Sequence, residues 1–297
     1  MITIIERNNK CHSYWDYITI ALTNKPGNMK KILLAVDADQ IDKAAVDFAC
    51  YIAQLTRSKL TAILFERKRE EALMTHEVYR VHNETIIANE PRKSHFPVFE
   101  ETCAGRGIRA QVIRSNTHKP AQRMVAESRF ADCMIIQADL TFNSTYEGTP
   151  SGFAKAVLAG AECPVLIAPP AFNAIDEIIF TYDGSRSSVF AIKQFTYLFP
   201  QLADKKAILL EVNETGDSQV LEKDKIASLL KMHYSGIGFQ VLQGRPGEEL
   251  FKYLLNKKNS FVVMGAFGRG MFSELFKPST ARLMLGTICC PFFIAHH

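Results

Sequence analysis

The sequence predicts an α/β fold made of two tandem five-stranded parallel-sheet domains of the Rossmann-like kind. Three observations carry this. Apolar runs of strand length alternate with segments whose apolar residues recur at helical spacing. The strand runs are apolar at nearly every position, as expected where helices cover both faces of a sheet. The order of elements then starts again past the middle of a 297-residue chain, about twice the usual length of one domain.

The elements follow in order. Residues 1 to 28 end in Lys25-Pro26-Gly27-Asn28, a turn signal, and read as an N-terminal extension outside the fold. From Met29, "MKKILLAVDAD" is a first strand closing on Asp37, and "QIDKAAVDFACYIAQLTRS" is an amphipathic helix. "KLTAILFER" is a second strand, and the charge-rich stretch of roughly 66 to 104 reads as helical. "IRAQVIRS", "PAQRMVAESRFA", "DCMIIQAD", "GFAKAVLAGA" and "CPVLIAPP" complete the half as strand, helix, strand, helix, strand.

The second half has the same grammar, from "DEIIFTYDGSRS" and the helix "SVFAIKQFTYLF" through "KAILLEVNE", a charged helix around 219 to 233, and "GFQVLQGRPGEELFKYLLNKK". "SFVVMGAFGRG", "STARLMLGTI" and "CPFFIAHH" end it. In superposition Asp37 falls on Asp183, "HKPAQRM" on "GRPGEEL", Gln137 on Gly265, and Cys163-Pro164 on Cys290-Pro291. The expected domains are therefore 29–170 and 174–297, joined near Pro169-Pro170-Ala171-Phe172-Asn173.

Composition excludes several functions. A net charge of +4, spread without a basic block, argues against a dedicated nucleic-acid binder. Seven cysteines without C-x-x-C spacing, most of them in apolar runs, read as reduced core residues of a cytoplasmic protein. No His pattern of metal-ligand spacing occurs, so no metal site is expected, and no apolar run approaches the roughly 20 residues of a membrane span.

"VVMGAFGRGMFSELFKPSTARLML" (262–285) holds the candidate site. Ligands of open parallel sheets bind beyond the carboxyl ends of the strands, where loops feed helices. Gly265 and Gly268 can take positive φ and expose backbone N–H groups, and Ser279-Thr280 open a helix whose first N–H groups favour an anion. Together they form either a phosphate cradle or a plain turn with a capped helix. Neither G-x-x-x-x-G-K-[ST] nor G-x-G-x-x-G is present.

The tandem halves, the first strand closing on Asp, G-x-x-G with a small pair some nine residues on, and Cys-Pro before the last strand resemble the universal stress protein family. The likeness runs over nearly all of 29 to 297. It implies two domains packed as a pseudo-dimer through their last strands, which are also the expected surface for any homo-oligomer. Nucleotide-binding members of that family hold ATP through G-x-x-G, nine residues, then G-[ST]. Carried over, Gly265, Gly268 and Ser279 match, with Thr280 beside them, and Pro278 stands where the third glycine belongs. The family's Asp beside the nucleotide falls on Asp183, which also suits a helix cap. The backbone that contacts adenine falls around Val212.

The resemblance thus implies a stress-response protein binding ATP, with Mg²⁺, at one site in the second half, with unidentified protein partners. Proline suits a helix start but removes one N–H, worth roughly 1.5–3 kcal/mol if it bonded an anion. In the first half Gln137-x-x-Leu140 replaces the glycines and Ser151-Gly152 reverses the small pair, so no nucleotide is expected there. No nucleophile with a base and no carboxylate pair is legible; ATP hydrolysis, if any, is expected to be slow. The rivals are a scaffold of the same family that binds no nucleotide, and an adenylyl-transfer or electron-transfer flavoprotein type of enzyme; the S-G-G-x-D-S motif of those with a pyrophosphatase loop is missing after the first strand of either half.

Overall fold

The computed structural model describes residues 30–66, 80–81, 84–85, 96–108, 110–142, 147–214, 220–266 and 278–295. In the first half, strands β1 (Lys31–Asp37), β2 (Lys59–Phe65), β5 (Ala110–Ser115), β6 (Cys133–Gln137) and β7 (Val165–Ala168) alternate with helices α1 (Lys43–Thr56), α2 (Phe96–Gly105), α3 (Pro120–Ser128) and α4 (Gly152–Gly160). In the second, β8 (Glu177–Tyr182), β9 (Lys206–Asn213), β10 (Ile237–Gln243), β11 (Ser260–Gly265) and β12 (Phe292–Ala295) alternate with α5 (Arg186–Leu198), α6 (Lys223–Lys231), α7 (Pro246–Leu254) and α8 (Pro278–Thr287). The predicted α/β architecture of two five-stranded parallel halves is present.

The ten strands form one sheet in the order β10-β9-β8-β11-β12-β7-β6-β1-β2-β5. Every neighbour pair is parallel except the central one, where β12 meets β7 antiparallel with Phe293 opposite Leu166. The last strands therefore join the halves, as expected of a pseudo-dimer, and each occupies the other's edge. The strands of one half run opposite to those of the other, so their carboxyl ends open on opposite sides of the molecule. The repeat extends to single hydrogen bonds: Met134 N donates to Pro164 O at 3.0 Å, and Val262 N to Pro291 O at 3.0 Å.

One apolar cluster fills the sheet face under α1, α2, α5 and α6, and a second the face under α3, α4, α7 and α8; both run through the two halves. Aromatic rings bridge the join. Phe48 of α1 lies edge-on to Phe172 at 5.1 Å and to Phe261 at 6.2 Å, and Phe195 packs on Phe261 and Phe293. The Lys30 ammonium donates to the carbonyls at the end of α5, whose last turn favours a cation.

The 66–104 stretch departs from expectation. Its described helix spans only Phe96–Gly105, with Pro97 in the first turn, where a missing N–H costs nothing. Two short antiparallel strands, β3 (Arg80–Val81) and β4 (Glu84–Thr85), lie where helix was expected. Charge density alone does not impose a helical period. The extension 1–28 lies outside the described residues.

Candidate functional site

In each half the sheet order reverses beside the first strand, and a crevice opens between the carboxyl ends of neighbouring strands there. In the second half it lies between β8 and β11. Tyr182, the last residue of β8, is level with Glu211 of β9, so Asp183 leaves the sheet beside Val212, which is still within β9 and paired with Leu242 of β10. The pairing of Val263 with Phe180 brings Gly265, two residues on, to the other side of the crevice. Asp183, Val212 and Gly265 thus share one end of the sheet. Helix α8 opens at Pro278, with Ser279 and Thr280 in its first turn. Gly268 lies outside the described residues.

Two expectations about these residues need correction. Asp183 does not cap α5; Ser185 does, its Oγ accepting from Ser188 N at 3.1 Å. Asp183 Oδ1 accepts from Ser185 N at 3.0 Å and closes the turn, which passes through Gly184 at φ 71°. Asp37 makes the same contact in the first half, accepting from Asp39 N at 2.9 Å. Gly265, for its part, is not at positive φ. Its missing side chain admits the first turn of α5, since a Cβ there would stand 2.6 Å from Ser188 N and closer still to the Ser187 carbonyl. The glycine is required by a helix pressed against the strand end.

The surroundings are acidic. Glu211 is 3% exposed, and its Oε2 accepts from Leu221 N at 2.9 Å. Leu221 also lies over Gly184, 3.2 Å from where a Cβ would be. The Tyr182 phenol is pushed up, by burial first and then by Glu222, Glu211 and Asp183. Glu211 was missed by sequence reasoning, although a carboxylate inside the apolar run "AILLEVN" is the signal that could have found it.

In the first half a cleft of about 240 Å³ lies at the equivalent crevice between β1 and β6, lined by Asp37, Gln40, Asp42, Gln137 and Asp139 among others. Gln137 takes the place of Gly265, and its Nε2 donates to Asp42 Oδ2 at 2.6 Å. Asp42 in turn caps α1, accepting from Ala44 N and Ala45 N. The glycine contact of one half is thus a side-chain hydrogen bond in the other.

The start of α4 corresponds to the start of α8, and its Gly152 and Ala154 N–H groups are engaged by side chains of the chain itself. Ser151 is fully buried; its Oγ accepts from Ala154 N at 3.1 Å and donates to the carbonyl of Leu140. Glu147 Oε2 accepts from Gly152 N at 2.7 Å. A Cβ on Gly152 would stand 2.8 Å from that oxygen, so the glycine admits a carboxylate to the helix start. Glu147 holds the seat that an external anion would take, and the Asp side chains of the cleft repel a phosphate further.

Among the described residues, no group of three or more His, Cys, Asp or Glu is arranged to hold a metal ion. No described helix is long and apolar enough to cross a membrane.

No protein-family model and no curated protein matches the sequence. Solved structures do match the fold. A universal stress protein from Archaeoglobus fulgidus DSM 4304 superposes with TM-score 0.59 at 12% identity, over 89% of this chain and 98% of that one. A putative universal stress protein from Pseudomonas aeruginosa UCBPP-PA14 gives TM-score 0.54 at 15% identity, over 91% and 94%. A functionally unknown protein from Pseudomonas aeruginosa PAO1 gives 0.56 at 14%, over 91% and 93%. With both chains covered almost end to end, and with two parallel five-stranded halves meeting through their last strands, this polypeptide has the universal stress protein fold.

Proposed function

We propose that the chain is a cytoplasmic stress-response protein that binds adenine nucleotide, as ATP with Mg²⁺, at one site in its second half. The observation that carries this reading is the difference between the two crevices. Asp183 and Gly265 stand on the two sides of the second, at the ends of β8 and β11, with Val212 of β9 beside Asp183, while in the first Gln137 bonds Asp42 and Glu147 sits on the helix start. In the bound state Asp183 would meet the ribose, the backbone at Val212 the adenine, and the loop from Gly265 through Gly268 to Ser279-Thr280 the phosphates. Mg²⁺ would offset the charge of the triphosphate beside Asp183, Glu211 and Glu222. The reading assigns no catalytic residue, and any ATP hydrolysis would be incidental.

A scaffold that binds protein partners and no nucleotide is the second reading. Two observations favour it: helix packing alone accounts for Gly265, and Pro278 brings no N–H to the start of α8.

Isothermal titration of ATP and Mg²⁺ into the chain, beside the Gly268→Leu variant, separates the two. Micromolar one-to-one binding that Gly268→Leu abolishes supports the nucleotide reading. No heat up to millimolar ATP from the folded chain overturns it in favour of the scaffold.

A further inference from the structure

We propose that Cys50 and Cys103 are a modification site: a hydroperoxide converts this thiol pair to a disulfide that fastens α2 to α1. The two Sγ atoms are 3.6 Å apart, although the residues are 53 positions apart in sequence. A disulfide bond is about 2.05 Å long, so roughly 1.5 Å of approach closes it, within the reach of a small helix shift and rotamer change.

The pair sits in the middle of a strip of contacts between the two helices. On one side Arg106 Nε donates to Asp47 Oδ1 at 2.9 Å. On the other, Gln54 Nε2 donates to the Arg106 carbonyl. Asp47, Cys50 and Gln54 lie one turn apart on α1, and Cys103 and Arg106 lie one turn apart at the end of α2, so the strip holds the sulfurs face to face.

The surroundings distinguish the two sulfurs. The hydrogen bond shared with Cys103 holds the Cys50 thiol below its ordinary range against the opposing effects of burial and of the Asp47 carboxylate, and the Arg106 guanidinium adds to it. Cys103 is shifted upward, first by that same hydrogen bond and then by burial. With the Arg106 guanidinium held on Asp47, one turn from Cys50, the proposal assigns the first attack to Cys50 and the resolving step to Cys103. Burial is the main influence on the other core thiols and pushes them up: Cys133 strongly, Cys163 to about 12 and Cys290 to about 11.

The chemistry balances with one hydroperoxide. The Cys50 thiolate attacks a peroxide oxygen and the O–O bond breaks; with hydrogen peroxide the departing hydroxide takes a proton and leaves as water, and Cys50 becomes a sulfenic acid. The Cys103 sulfur then attacks the Cys50 sulfur and gives up its proton, the S–O bond breaks, and a second water leaves. Two thiols lose two electrons, and the peroxide gains them. A dithiol reductant reverses the change by exchange.

Both sulfurs are buried, at 0% and 2% residue exposure, but under a thin cover. Val98, Glu100, Glu101 and Ala104 leave the other side of α2 exposed, and Arg106 at its end is also exposed. Hydrogen peroxide is about the size of water and needs only a brief parting of α2 from α1. The staple would then hold α2 to the helix that places Phe48 against Phe172 and Phe261 across the join.

The test treats the full chain with a small excess of hydrogen peroxide, blocks remaining thiols by alkylation, and maps the unreduced digest by mass spectrometry. The expected result is a cross-linked Cys50–Cys103 peptide two hydrogen masses lighter than the free pair, with both thiols recovered after dithiothreitol. In Cys103→Ser, dimedone should trap the sulfenic acid at Cys50. In Cys50→Ser, Cys103 should react at least 10-fold more slowly than Cys50 does in the parent chain. Oxidation confined to exposed Cys289 in the parent chain, with Cys50 and Cys103 still fully alkylated, overturns the proposal without recourse to any variant.

Discussion

Gly265 shows how a single hydrogen atom in place of a side chain can set the distance between a strand and a helix. Gly265→Ala should force the first turn of α5 away from β11 and cost about 1–3 kcal/mol, read as a lower urea midpoint. Gly286→Ala is the contrasting case. A Cβ there meets only Thr149, at 3.9 Å, and the helical alanine should be neutral or stabilising by up to about 1 kcal/mol. Glu147→Ala should destabilise α4 by roughly 0.5–2 kcal/mol and open its start to an anion; weak inorganic phosphate binding, followed by titration against the parent chain, checks this. The sequence marked Gly265 by its place in G-x-x-G, but not the reason, because the clashing atoms belong to Ser187 and Ser188, nearly eighty positions away. Asp183 was likewise legible as the strand-ending acid, whereas its bond to Ser185 N depends on the course of the turn through Gly184.

Elements were more legible than contacts. The strands announce themselves through runs buried on both faces, such as the fully buried stretch from Leu60 to Phe65, and Pro120 and Pro246 mark the starts of α3 and α7 in register between the halves. The 66–104 stretch was not legible, because it has charge without a consistent apolar period. The amino ends of the strands hold a feature no local pattern reveals. Glu177, at the start of β8, accepts from Lys257 Nζ and Ser260 Oγ, both at 2.7 Å, and faces Lys206 at 3.6 Å. Burial pushes its carboxyl up, but the hydrogen bonds from Lys257 and Ser260 and the two lysine charges outweigh it, leaving it below the usual range. A depressed carboxyl contributes stability that is present above the unfolded value, about 4.3, and is lost as pH falls through the folded one. Glu177→Gln should thus lose about 1–3 kcal/mol at pH 7 and show a shallower fall in stability from pH 5 to pH 3, measured by urea unfolding at each pH.

At the scale of the molecule, both apolar clusters pass through the join. The chain should therefore unfold in one transition, with calorimetric and van't Hoff enthalpies in agreement. Phe293→Ala, which removes a ring packed on Phe195 and Phe199, should lower the stability by about 3–5 kcal/mol and leave that single transition intact; two separate heat-capacity peaks in the parent chain would contradict it. The antiparallel meeting of β7 and β12 also has a genetic consequence. In an assembly of identical subunits every substitution at a binding mouth appears in both copies, so neither can change alone. Here each mouth is written by its own codons, and the two open on opposite sides of one sheet. A change at one mouth then leaves the lining of the other as it was. Gln137 and Glu147 on one side, and Gly265 on the other, already give the two mouths different linings.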